Sequence, residues 1–388
     1  MKIKIPVLLT IALLSHASAN AQSGRIQTAP TVPADRPTVQ VTQDPAEIKK
    51  QDSVTYSESV PSGRRLILPP NKNKNPKTDS KTEAKKDSQN PAAATQISAD
   101  EEAIKIETNL VTIPVSVTDR NGFYIADLRQ EEFKIFEDGV EQEVAYFGAS
   151  DKPFTVVLLI DVSNSTAYKI EEIQAAAAAF VRQLKPQDRV IVIQFDDSVK
   201  VLTEVTNDHD KINKAISRTG FGDDTSIYEA VDFSLHKQLA KIEGRKAIVL
   251  FTDGVDTSSE KATFESTVRD AEESGAVIFP IYYNTAFNTI GAARISAGGS
   301  NVEYARGRAY LTELASATGG KMVRPESTPK GLTAAFESIA EELRRQYSIG
   351  YYPSEAGETG ERRQIKVRVN RPKLVIRARD SYIVGGGF

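Results

Sequence analysis

Residues 155–165 read TVVLLIDVSNS, and the fold turns on the point where the apolar run stops at Asp161. A run without polar alternation is what a strand buried on both faces requires, because both sides must avoid water. Asp161, Ser163 and Ser165 then place three oxygen-bearing side chains just past its end. Downstream, the residues at 168–184, with alanines at 175–179, predict a helix that packs closely. RVIVIQF at 189–195, AIVLF at 247–251 and AVIFPIY at 276–282 repeat the buried-strand pattern, and 321–323 is a short strand. Helical periods fall between them at 210–218, 226–239, 260–274 and 310–317, with a last one at 332–346. Strands alternating with helices predict an α/β fold over 153–346: a doubly wound, mostly parallel sheet covered on both faces.

The flanks change pattern. LVTIPVSVT at 110–118 alternates apolar and polar residues, as a strand with one buried face does, and Pro114 suggests a sheet edge. Residues 119–122 form a turn and 133–136 a strand. Asp138-Gly139 is a hairpin signal, with 144–147 expected as the returning strand. Residues 103–150 are thus the first part of a smaller antiparallel β unit. The pattern returns at 347–352, 364–369 and 373–378, so 347–384 is its second part. Neither part has enough strands for a confident core of its own. One β-sandwich-like domain is expected, with the α/β domain inserted and Leu374 and Ile376 against Val111, Ile113, Val115 and Val117.

Residues 1–21 read as a signal peptide: Lys2 and Lys4, a short apolar run at 5–14, then Ala17-Ser18-Ala19 and Ala19-Asn20-Ala21 as cleavage sites. Export to the periplasm or outside the cell is expected. Residues 22–102 read as a disordered, low-complexity linker, since NKNKNPKTDSKTEAKKD at 71–87 has almost nothing apolar to bury. No later stretch is long and apolar enough for a transmembrane segment. The chain has no cysteine, which removes disulfides, thiolate chemistry and a lipidated N-terminal Cys. A net charge of −3 gives no reason to expect nucleic acid. His209 and His236 have no partner at metal-ligand spacing and read as ordinary surface or helix residues. Arg362, Arg363, Lys366, Arg368, Arg371, Lys373, Arg377 and Arg379 read as a solvated sheet face or a charged edge.

Two further elements complete the oxygen set. Gly222-Asp223-Asp224-Thr225-Ser226 is a loop before a helix, and Phe251-Thr252-Asp253-Gly254 ends the strand at 247–251. With the D-x-S-x-S of 161–165, these resemble the metal-ion-dependent adhesion site of von Willebrand factor A domains, a Rossmann-like fold. The resemblance covers about 153–346. With the flanking β segments it extends to von Willebrand A-related proteins of environmental bacteria. It implies that Ser163, Ser165 and Thr225 coordinate a metal directly, while Asp161 and Asp253 act partly through water. It also implies that the last helix shifts when a ligand binds. Asp223 and Asp224 depart from the pattern, which often has glycines there; they read as solvated loop charges. Asp256 reads as a loop residue or an outer hydrogen-bond acceptor.

The chemistry agrees with the resemblance. Open α/β sheets bind ligands beyond the carboxyl ends of their strands, where Asp161 and Asp253 fall. Asp, Ser and Thr offer only hard oxygens, which suit Mg2+ or Mn2+. Few direct negative ligands leave the cation electrophilic, with a position for an Asp or Glu carboxylate of a protein partner. The expected function is an exported, metal-dependent binding module for adhesion or scaffolding. The alternatives are a structural envelope protein whose metal only fastens loops, and a metal-assisted hydrolase. Enzymes that begin with D-x-D need a second acid where this chain has Ser163, and no nucleophile or P-loop motif is present. No catalytic residue is expected.

Overall fold

The strand run from Phe154 to Asp161 is buried at every position, and its alternate side chains serve two different cores. The structure is a computed structural model, and it describes residues 55–60, 110–148, 152–164, 169–283, 299–328 and 330–385. All of these lie in the compact unit Ser53–Phe388. In chain order, the first strands are β1 (Ser57–Glu58), β2 (Val111–Asp119), β3 (Phe133–Glu137), β4 (Val140–Gln142) and β5 (Tyr146–Gly148). The α/β part follows: β6 (Phe154–Asp161), α1 (Ile170–Arg182), β7 (Arg189–Phe195), β8 (Val199–Thr206), α2 (His209–Ile216) and α3 (Ile227–Phe233). A π-helical segment, Ser234–Leu239, continues α3. Next come β9 (Arg245–Thr252), α4 (Phe264–Ser274), β10 (Val277–Tyr282), α5 (Gly299–Ala317) and α6 (Gly331–Arg345). The chain closes with β11 (Tyr347–Tyr351), β12 (Arg362–Val369), β13 (Leu374–Arg377) and β14 (Ser381–Ile383).

The central sheet has the order β10-β9-β6-β7-β8. Its first four strands are parallel and β8 is antiparallel at the edge. This is the doubly wound, mostly parallel α/β sheet expected, with one strand not expected. No element is legible at 199–206 because β8 is an edge strand whose side chains are all partly or fully exposed. On one face Val156, Leu158, Val249 and Phe251 pack on α1 and α6, where the Phe180 and Phe336 rings meet at 6.0 Å. On the other face Val157, Leu159, Ile248 and Leu250 pack on α3, α4 and α5. Each such side chain taken from water stabilises the fold by about 1.5–3 kcal/mol, so both apolar faces are needed.

The flanking strands form two antiparallel sheets over a shared core. One holds β1, β12, β3 and β4, with β14 on β12; the other has the order β13-β2-β11-β5. Strands from before and after the α/β part thus pair directly: β2 with β11 and β13, and β3 with β12. Val111, Ile113, Val115 and Val117 share a core with Ile349, Val367 and Ile376, and Leu374 packs on it.

Several expectations change. Pro114 does not mark an outer strand. β2 lies between β11 and β13, but Pro114 faces only β11, because β13 pairs only from Ser116 onward. One flank of residue 114 is therefore open, and the missing N–H costs no ladder bond. The strand that returns from the Asp138-Gly139 turn is β4, not 144–147; both turn residues have positive φ (48° and 88°), as a two-residue hairpin demands. β5 crosses to the other sheet and pairs with β11. The linker expected over 22–102 does not hold at 55–60. There β1 pairs with β12, Glu58 meets Arg368 at 2.6 Å, and the Arg368 guanidinium lies 4.0 Å from the Tyr56 ring centroid. The remainder of 22–102, and residues 1–21, lie outside the described residues. Of the basic residues at 362–379, only Lys366 and Lys373 are exposed as a solvated face requires, and the arginines are partly or fully buried. Arg362 meets Glu272 at 2.6 Å, Arg363 meets Glu137 at 2.8 Å, Arg371 meets Glu132 at 2.5 Å and Arg377 meets Glu342 at 2.5 Å.

Candidate metal centre

Three loops converge beyond the carboxyl ends of β6, β7 and β9. At the first, Asp161 is fully buried. Its Oδ1 accepts from the Ser163 backbone N–H (3.0 Å) and hydroxyl (2.6 Å), and its Oδ2 accepts from the Thr252 hydroxyl (2.7 Å). Thr252 ends β9, which pairs with β6, so the parallel register itself brings it there. Burial pushes the Asp161 carboxyl up to about 7, and the nearby charge of Asp253 adds to the shift.

The second loop is fastened to its neighbours by backbone groups. Gly222 N–H donates to the Val162 carbonyl at 2.8 Å, and the Ser226 N–H and hydroxyl both donate to the Asp196 carbonyl at 2.8 Å. A Cβ at Gly222 would stand 2.2 Å from the Asp196 Cβ, so this approach requires glycine. Thr225 is buried between the loops. Its N–H donates to the Thr257 hydroxyl (2.8 Å), and its carbonyl accepts from the N–H groups of Thr257 and Ser258 (2.8 and 3.0 Å). Asn164 Nδ2 donates to Asp223 at 3.3 Å, closing the first loop on the second.

In the third loop Asp253 is buried and its Oδ1 accepts from the Val255 N–H at 3.1 Å. Gly254 has φ +80°, and a Cβ there would meet the Gly307 backbone at 2.9 Å, so α5 closes against the loop. The structure therefore brings Asp161, Ser163, Thr225 and Asp253 to one edge of the sheet. Ser165 lies outside the described residues.

The donor set fits a hard divalent cation. Burial, and after it the charge of Asp253, raises the Asp161 carboxyl, and a divalent cation offsets both. Ser163 and Thr225 add neutral oxygens, and their loops are held by their own hydrogen bonds.

Sequence reasoning missed three supporting residues, Thr252, Thr257 and Asp196, and read Asp256 only as a loop residue or an outer acceptor. Thr252 stood inside the quoted FTDG and fills the second oxygen of Asp161. Thr257 accepts the Thr225 N–H on its hydroxyl and Asp196 accepts from Ser226 on its carbonyl, contacts that no spacing reveals. Asp256 accepts from the Ser259 hydroxyl (2.5 Å) and from the backbone of Ile227 and Tyr228, so it caps α3; burial raises its pKa. His236 is also less ordinary than expected. Its Nδ1 lies 3.0 Å from Asp232, one turn earlier, and its Nε2 lies 3.9 Å from Asp270 of α4.

A doubly wound α/β domain with an all-oxygen cluster at the carboxyl edge of its sheet defines the class. Residues 156–255 match the von Willebrand factor type A domain family, and the chain carries a domain of that type. No curated protein matches it. Among solved structures it is similar to a von Willebrand factor type A protein from Catenulispora acidiphila, with 13% identity over 72% of this chain and 75% of that one, TM-score 0.41. It is also similar to the vWF domain of the type V pili tip protein Mfa5 from Porphyromonas gingivalis (14%, 49% and 95%, 0.40). A third is proximal thread matrix protein 1 from the mussel byssus, with a zinc-occupied MIDAS motif (14%, 53% and 50%, 0.39). Likeness at this level says nothing of what this chain binds.

Proposed function

We propose that the chain is an exported, metal-dependent protein-binding module, for adhesion or scaffolding, and not an enzyme. Ser163, Ser165 and Thr225 hold Mg2+ (or Mn2+), with Asp161 and Asp253 in support. The cation supplies an electrophilic position for an Asp or Glu carboxylate of a protein partner. The observation that carries this reading is the buried Asp161–Asp253 pair, with the Ser163 and Thr225 loops hydrogen-bonded around it. Phe221 supports the protein-binding half: it is 69% exposed, one residue before the Gly222–Thr225 loop, and gives the rim an apolar contact for a partner to cover.

The test is a pull-down from envelope extract with Mg2+, repeated with chelator and with Asp161→Ala. A partner retained only by the metal-loaded wild type supports the reading. Phe221→Ala should weaken that capture while leaving Mn2+ affinity unchanged. Capture indifferent to chelator and to Asp161→Ala would overturn the metal-dependent mode.

A further inference from the structure

Most arginines of the run 362–379 find carboxylates, as described above, but Arg379 does not. It is 9% exposed, and among the described residues no carboxylate lies within salt-bridge reach of it. Its Nη2 donates to the Thr112 carbonyl at 2.9 Å, and its Nε has no acceptor. Burial lowers its pKa; Glu272, whose charge works against that, is already engaged by Arg362 at 2.6 Å.

Arg379 lines a cavity of about 960 Å3 at the amino edge of the parallel sheet, where the sheet meets the β-rich part. The metal centre is at the opposite edge. Lys152, Arg189, Arg245 and Lys246 bring further cations to the wall, Lys246 from the start of β9. Burial also lowers the pKa of Lys246, and among the described residues it has no carboxylate partner. Phe154, Val277 and Tyr382 supply apolar wall. Glu243, Glu272 and Glu273 line the cavity as well, Glu272 with its charge met by Arg362. Small-molecule sites typically have this volume and this mixture: an apolar lining with a few convergent polar groups. A buried guanidinium with no carboxylate beside it is stabilised by the charge of an anion that enters the cavity it lines.

We propose that this cavity binds a small organic anion, its carboxylate or phosphate head on Arg379 and Lys246 and its apolar body on Phe154, Val277 and Tyr382.

The test uses the full chain in chelator, so the outcome is independent of the metal centre. Phenyl phosphate and benzoate are titrated by calorimetry, with benzamide as the neutral control. Both anions should bind saturably and benzamide should not. Lys246→Gln should weaken the anions about tenfold or more, since a charge-assisted hydrogen bond is lost. Arg379→Gln should do the same; Lys246, only half-buried, keeps the test open if that variant does not fold. Absence of saturable binding by either anion, equal binding of benzamide, or unchanged affinity in Lys246→Gln would overturn the proposal. So would failure of both anions alongside binding of a peptide by its free C-terminus, which would assign the cavity to a protein partner.

Discussion

At the scale of single residues, Asp161 is the costly one, because a carboxylate taken fully out of water loses its hydration. Three hydrogen bonds to Ser163 and Thr252 compensate only in part, and its pKa stays at about 7. The folded value lies above the ordinary 3.8, so the folded, metal-free chain holds this proton more tightly than the unfolded chain. The stability tied to it is full below about pH 4 and is lost as pH rises through about 7. Metal-free protein is expected to melt at a lower temperature at about pH 8 than at about pH 5, and Asp161→Asn to reduce that difference. Melting curves in chelator check this; identical pH dependence in both proteins would contradict it. Metal binding must expel the same proton, so Mn2+ affinity is expected to rise over that interval. Asp253→Ala should weaken Mn2+ at least about 10–100-fold, as loss of a supporting carboxylate does. It should remain folded, because it removes the charge that repels Asp161. Calorimetry on wild type and on Asp161→Ala/Asp253→Ala is the measurement, and equal affinities would sink the assignment.

At the scale of elements, the site is three loops whose positions are set by strand order and fixed by small contacts. Gly222→Ala would push a methyl group into Asp196, which is held by Ser198 at 2.7 and 2.8 Å. That substitution is expected to displace the Thr225 loop and to lower Mn2+ affinity while leaving the sheet intact by circular dichroism. Unchanged affinity would mean that the loop is not held as described. Asp256→Ala removes the cap of α3 and should cost about 1 kcal/mol in urea unfolding. These elements also mark how far the sequence could be read. The strands at 155–160, 189–195, 247–251 and 276–282 were legible because burial on two faces leaves an unbroken apolar run. The loops carrying Asp161, Thr225 and Asp253 were legible because they follow such strands or open a helix. β8 and β1 were not, since an exposed edge strand needs little apolar patterning and two residues show no period. The ion partners of Arg362, Arg363 and Arg371 were illegible for another reason: Glu272, Glu137 and Glu132 are about 90 or more residues away, and local pattern holds no information about them.

At the scale of the whole molecule, we infer that the strands before β6 and after α6 fold as one domain interrupted by the α/β part. β2 obtains its ladder from β11 and β13, and β3 obtains one side of its ladder from β12, so the first group lacks its partners without the second. The shared core says the same: Ile113 and Val117 pack with Ile349, Val367 and Ile376. Glu342 ties this unit to α6, accepting from Ser116 at 3.0 Å and meeting Arg377 at 2.5 Å. A shift of α6 on ligand binding would therefore pull on β2 and β13. Deleting 347–384 separates the parts. The α/β domain keeps its own two cores and all three metal loops, so it is expected to retain Mn2+ binding and protease resistance. Residues 111–148, stripped of β11, β12 and β13, should become sensitive to trypsin, at Lys134 among other sites. Limited proteolysis followed by mass spectrometry reads both regions in one experiment. If 111–148 stays as protected as in the full chain, its stability comes from the α/β domain alone, and the interrupted-domain reading fails; if Mn2+ binding is lost with the strands, the metal site depends on the β unit, and its loops are not self-sufficient.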